Sequence, residues 1–193
     1  MVENNIANII NVWEEGSGLN SVQTVGNNNH ALAEASTSEG AETDAHAYGS
    51  HAEGYMTSTG VAADYSHSEG YKTSTQGPAS HAEGDSTVTN NPAEHAEGKY
   101  NKSNMGGTEA TNTISSIGIG NASGSIPGGE RKNAFEVMQN GDMYVYGVGD
   151  YNGQNIDTAT TIQEVIADKI DSEELDGYAT EEWVENKGYL TEH

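Results

Sequence analysis

The sequence contains no cysteine. Disulfides, cysteine nucleophiles and thiolate zinc sites are thereby excluded. Large apolar residues are scarce: there is one phenylalanine, and only 33% of the 193 residues are hydrophobic. That is poor material for a conventional globular core. Basic residues are scarce too, 7 against 30 acidic ones, for a net charge of −23. Phosphate contacts need lysine and arginine, so nucleic acid is not an expected partner, and neither is an anionic membrane surface. No stretch approaches the roughly 18 apolar residues of a membrane span, so no membrane insertion is expected. The opening "MVENNIANIINVWEEG" lacks the basic region and apolar core of a secretory signal. Synthesis in a cytoplasm without general secretory export is the corresponding expectation.

What is abundant is glycine, with 24 copies, alongside patterned serine and alanine. A chain that buries little apolar surface alone can order itself by stacking repeats or by joining identical chains. Residues 1–16 place Ile6, Ile9, Ile10 and Trp13 at i, i+3, i+4 and i+7, one face of an amphipathic helix. So short a helix is marginal alone, and its stripe wants a partner.

Residues 17–125 are repetitive. The clear copies are "SHAEG" at 50–54, "SHSEG" at 66–70, "SHAEG" at 80–84 and "EHAEG" at 94–98, with a weaker "STSEG" at 36–40. Two edge copies are apolar, "SVQTV" at 21–25 and "SIGIG" at 116–120. Aligning Val22, Thr37, His51, His67, His81, His95 and Ile117 gives steps of 15, 14, 16, 14, 14 and 22. A period near 14 residues is a solenoid signature. It accommodates two short strands and two tight turns, one coil of a narrow β-roll. Side chains alternate along a strand, so Ser50, Ala52 and Gly54 face one way and His51 and Glu53 the other. The small set suits a thin interior, and the larger set faces something outside the coil. The long last step holds a loop at 99–113.

Residues 126–153 read as a β-hairpin. Asn140-Gly141 is a strong signal for a two-residue turn. It would set Phe135 and Val137 opposite Tyr146 and Tyr144, on a hairpin buried between chains. Residues 154–193 form a C-terminal helical segment. Thr161 and Glu164 suit a capping box, Ile162, Val165, Ile166 and Ile170 a short coiled-coil stripe, and Thr180 a second helix start.

Four readings compete for the His-x-Glu copies. Catalysis needs one special site, and four equivalent copies give no reason to prefer one. A metal is conceivable, since symmetry copies would gather several histidines and glutamates. A pH switch is conceivable because histidine titrates near neutrality, and exposed receptor contact is the fourth. The favoured reading is a hydrogen-bonded polar layer, because buried polar groups persist only when satisfied. No catalytic residue, metal ligand or cofactor is assigned.

"SHAEG", "SHSEG" and "SIGIG" resemble the head repeats of trimeric autotransporter adhesins of the YadA type, and similar repeats in bacteriophage tail fibres. The resemblance spans roughly residues 20–122. It implies a mainly β fold, a left-handed parallel β-roll solenoid, packed as a homotrimer around a threefold axis. The positions matching axis-facing residues are His51, Glu53, His67, Glu69, His81, Glu83, His95 and Glu97, flanked by apolar Val22, Ile117 and Ile119. The flanks "NVWEEGSGLNSVQTVG", "NAFEVMQNGDMYVYGVG" and "GYATEEWVENKGYL" are similar to segments around such repeats in tail-fibre-like proteins of phages and prophages. An autotransporter adhesin needs an export signal and a barrel anchor, which a phage protein released by lysis does not. The resemblance therefore implies a non-enzymatic tail fibre or tail-associated protein of the virion, assembled in the host cytoplasm. Its partners would be tail or baseplate proteins and a host-surface glycan or protein receptor, with the 99–113 loop the first candidate for contact. The alternative is a fragment of a bacterial surface adhesin head.

Overall fold

The computed structural model describes residues 12–105, 108–122, 130–146, 159–161 and 164. It is mainly β, with a β-solenoid of about six turns. Contacts divide the chain into two units, Met1–Met143 and Tyr144–His193. In chain order the first strands are β1 (Trp13–Glu15), β2 (Val22–Thr24), β3 (His30–Ala31), β4 (Thr37–Ala41), β5 (Asp44–Ala45), β6 (His51–Tyr55), β7 (Ser58–Thr59) and β8 (His67–Tyr71). There follow β9 (Ser74–Thr75), β10 (His81–Asp85), β11 (Val88–Thr89), β12 (His95–Lys99), β13 (Thr113–Ile119), β14 (Asn133–Met138), β15 (Met143–Tyr146) and β16 (Ala159–Thr161).

Each coil in the first unit is a long strand followed by a short one. The long strands β4, β6, β8, β10, β12 and β13 pair in parallel, as do the short strands β3, β5, β7, β9 and β11. The register places Thr37, His51, His67, His81 and His95 side by side.

The interior explains the composition. Among the described residues the buried hydrophobic side chains are all alanine. The other inward columns are serine and threonine, which satisfy each other across the roll. Ser50 and Thr59 share a hydroxyl bond of 2.9 Å, Ser66 and Thr75 one of 2.9 Å, and Ser80 and Thr89 one of 2.8 Å. A second row pairs Ser38 with Thr43 at 2.6 Å and Ser68 with Thr73 at 2.8 Å. Ser50 and Ala52 point inward as the alternation requires, whereas Gly54 sits at an exposed corner.

That corner accounts for the glycine closing each motif. Gly54 has φ +109°, and a Cβ there would stand 2.2 Å from the Gly70 carbonyl oxygen. Gly40, Gly70 and Gly84 repeat this geometry. The following corners use left-handed residues that are not glycine, including Met56 and Lys72 at φ 57° and 56°, and Ala79 at φ 54°.

Each end of the parallel sheet is capped by an antiparallel strand, so neither β2 nor β13 is an edge strand. At one end β1 pairs β2, with Trp13 opposite Thr24. Trp13 therefore lies in a strand, not on the predicted helix. The open edge of β2 offers backbone partners that a lone helical turn would forgo. Ile6, Ile9 and Ile10 lie outside the described residues. At the other end β14 pairs β13, with Phe135 opposite Ile117 and Val137 opposite Ser115. The last short strand is finished by a side chain. Asn101 Oδ1 accepts the Val88 N–H at 2.7 Å and its Nδ2 donates to the Val88 carbonyl at 2.9 Å, standing in for another strand.

Three further expectations are corrected. β12 pairs β13 with His95 opposite Ser115, Glu97 opposite Ile117 and Gly98 opposite Gly118. "SIGIG" is thus displaced by two residues from the predicted alignment, because Gly118 takes the crowded glycine column. The hairpin turn is also different. Gly141 has φ +91° but Asn140 is not among the positive-φ residues. Met138 accepts the Gly141 N–H at 2.9 Å and donates its own to Asp142 at 2.8 Å, closing a three-residue loop. The pairs Phe135–Tyr146 and Val137–Tyr144 presupposed a two-residue loop and do not follow from it; the Tyr146 side chain is outside the described residues. In the second unit Ala159–Thr161 is a strand, pairing β15 with Thr161 opposite Tyr144. Extended pairing replaces helix over 159–161, while the Thr161 cap is left standing, since an N-cap residue keeps extended backbone. Glu164 is helical, and Ile162, Val165, Ile166, Ile170 and Thr180 lie outside the described residues.

Candidate functional site: the histidine–glutamate face

In-register stacking turns the repeated motif into two adjacent columns on the outer face of the long sheet. The first runs Val22, Thr37, His51, His67, His81, His95, Ser115. The second contains Glu39, Glu53, Glu69 and Glu83, with Glu97 beside Ile117. A third column runs Ala41, Tyr55, Tyr71, Asp85, Lys99, Ile119.

The imidazoles stack face to face. Their centroids are 4.6 Å apart between His51 and His67, 4.8 Å between His67 and His81, and 5.1 Å between His81 and His95. Every Nε2 is directed at carboxylates. His51 Nε2 is 3.6 Å from Glu53, His67 Nε2 is 3.6 Å from Glu53 and 3.8 Å from Glu69, and His81 Nε2 is 3.7 Å from Glu69. His95 Nε2 reaches a hydrogen-bonding distance of 3.2 Å from Glu83. The others do not, and Nε2 of His51, His67 and His81 is sealed from solvent without a hydrogen-bond partner. Unsatisfied polar atoms of this kind need an explanation.

The face is half-open around those atoms. The His51 and Glu53 side chains are 33% and 35% exposed. Val22, Ile117 and Ile119 are exposed apolar residues at the two ends of the ladder. Burial lowers the pKa of His81, and the neighbouring His67 and His95 lower it further, against the opposing pull of Glu69 and Glu83.

The predicted ladder residues are therefore brought together, His51 through Glu97 in register. Sequence reasoning missed the stacked Tyr55 and Tyr71 rings, 5.7 Å apart, although the shared motif position could have revealed them. It also missed Glu94. In the fourth copy glutamate replaces the leading serine, and its side chain is 1% exposed. Glu94 Oε2 accepts from the backbone of Asn90 and Asn91, from Asn91 Nδ2 and from Ser103 Oγ. It pins the 99–113 loop onto the roll. Burial raises its pKa, and those hydrogen bonds act the other way.

No family model, curated protein or solved structure matches the chain.

Proposed function

We propose that the protein is an elongated homotrimeric bacteriophage tail protein, a fibre or a component joining fibre to baseplate. The observation that carries the trimeric part is the outer ladder: three sealed Nε2 atoms without partners, on a half-open face ended by Val22 and Ile117. Association through that face would bring further acceptors to the imidazoles and cover the aliphatic ends. The resemblance of the repeats to fibre and adhesin heads supports the tail assignment. In this reading the roll is a stiff, non-catalytic shaft of the virion tail. Attachment to a host glycan or protein gains strength because three weak contacts act together. The loop at 99–113, pinned by Glu94, is the irregular surface best suited to such contact.

The test is solution mass by light scattering, from neutral pH down to about pH 5, spanning ordinary histidine titration. The expected species has three times the 20.3 kDa chain mass. It should dissociate as like charges accumulate along the stack. A monomer at neutral pH would overturn the axis placement.

A further inference from the structure

The geometry points to a transition-metal site on the ladder, taking one Zn²⁺ or Ni²⁺ ion per chain through His67, one neighbouring histidine and the glutamate between them. Among the described residues two sets of donors qualify: His51, Glu53 and His67, and His67, Glu69 and His81. In each, one nitrogen or oxygen from every residue lies within 4.8 Å of the other two. The donors are contributed by adjacent coils of a single chain, so no second chain is needed to complete either set.

Tetrahedral zinc with bonds of about 2.0–2.2 Å holds its donors roughly 3.3 Å apart. The Glu53 carboxylate already stands 3.6 Å from both His51 Nε2 and His67 Nε2. The two imidazoles, stacked 4.6 Å apart with their planes 1° from parallel, must tilt towards each other for their nitrogens to converge on the ion, a side-chain rotation on the half-open face. The Nε2 atoms are the second argument. Three of them are hidden from solvent and bond to nothing, and a neutral imidazole so placed offers its lone pair to a cation. Two imidazoles and a carboxylate suit zinc or nickel, whereas calcium and magnesium prefer all-oxygen shells. The half-open face leaves a position for water or another ligand. Both sets use His67, whose single Nε2 serves one ion at a time, and this limits the stoichiometry to one.

The experiment titrates zinc, nickel and calcium chlorides into the chelator-stripped full chain by calorimetry, with thermal melting in parallel. One zinc or nickel ion per chain is expected, with a raised melting temperature and no response to calcium. His67→Asn, which breaks both sets, should weaken binding by roughly a hundredfold, at the upper end of the loss seen for even outer-shell changes. The double variant Glu53→Gln with Glu69→Gln keeps every histidine and should also weaken binding at least about tenfold. It decides the matter if His67→Asn fails to fold. His30→Asn, away from the ladder, should leave zinc and nickel binding unchanged. No binding by the folded chain, or undiminished binding in either ladder variant, would overturn the site.

Discussion

Thr57 is an unpaired hydroxyl in an interior of paired serines and threonines, and it yields a quantitative test. Its residue is 1% exposed, and its hydroxyl has no partner. The equivalent Thr43 and Thr73 bond to Ser38 and Ser68, at 2.6 and 2.8 Å. At the matching position of Thr57's coil stands Ala52, itself fully buried. Ala52→Ser supplies the missing partner, in a place where the flanking coils show that a serine fits. The new hydroxyl and the old one satisfy each other, so the gain is a net hydrogen bond of about 1 kcal/mol. Ser68→Ala is the reverse experiment. Thr73 then loses its partner, but Thr87 shows the fallback: it donates to the carbonyl of Glu83, four residues back, at 3.0 Å. The cost is therefore at the low end for an orphaned buried hydroxyl, about 1 kcal/mol. Urea unfolding at one fixed chain concentration reads both, since association makes stability concentration-dependent. In heat melts the shifts should be about 2–4 °C in opposite directions. If Ala52→Ser destabilises the protein, the account of the interior as matched hydroxyl pairs is wrong.

Two corner substitutions should also oppose each other. Ala79 sits at φ 54°, so Ala79→Gly relieves a left-handed Cβ and should raise stability by about 0.5–1 kcal/mol in urea melts. Gly54→Ala combines positive φ with a Cβ 2.2 Å from the Gly70 oxygen and should cost about 3 kcal/mol or more, or abolish soluble expression. The pH dependence has a definite sign. The folded pKa of His81 is lowered, so the unfolded chain takes up its proton first, and stability is lost as pH falls through about 6.5. Glu94 works oppositely. Its folded pKa is raised, so its penalty is complete at neutral pH and lifts as acid protonates the folded chain first. Urea midpoints followed from pH 7.5 down to about 4.5, the ordinary carboxylate range, should therefore fall less in His81→Gln and more in Glu94→Gln than in the unaltered protein.

The roll was legible because its period is written in side-chain size. Small residues recur where the interior is thin, and His-x-Glu recurs where side chains face out. The Ser50–Thr59 pairing was also present as a repeated spacing of nine residues, which recurs at Ser66–Thr75 and Ser80–Thr89. The edges were harder. "SIGIG" offers isoleucines at either of two alignments, and only the carbonyl crowding around Gly98 and Gly118 selects one. Trp13 illustrates a different limit. Its i, i+3, i+4, i+7 company fits a helix, but the edge of β2 offers a competing ladder that no local pattern reveals. Asn140-Gly141 likewise marks a turn correctly, while the register depends on the hydrogen bonds Met138 makes at its base.

The same thin interior gives a physical reason to look outward for stability. Alanine methyls bury little apolar surface, and the hydroxyl pairs contribute only modest net free energy, because water offers each partner comparable bonds when the chain unfolds. Backbone ladders share that limitation. Large apolar groups that could add more are on the surface, and among them are Val22, Ile117 and Ile119 beside the ladder and Tyr55 and Tyr71 two residues further along their strands. The imidazole stack adds ring surface between them. Covering this face would convert exposed area into burial and give the sealed Nε2 atoms partners at the same time. A bound cation satisfies the nitrogens but leaves the isoleucines and valine in water. The two proposals are thus separable: metal binding answers the polar half of the face, and only association answers both halves.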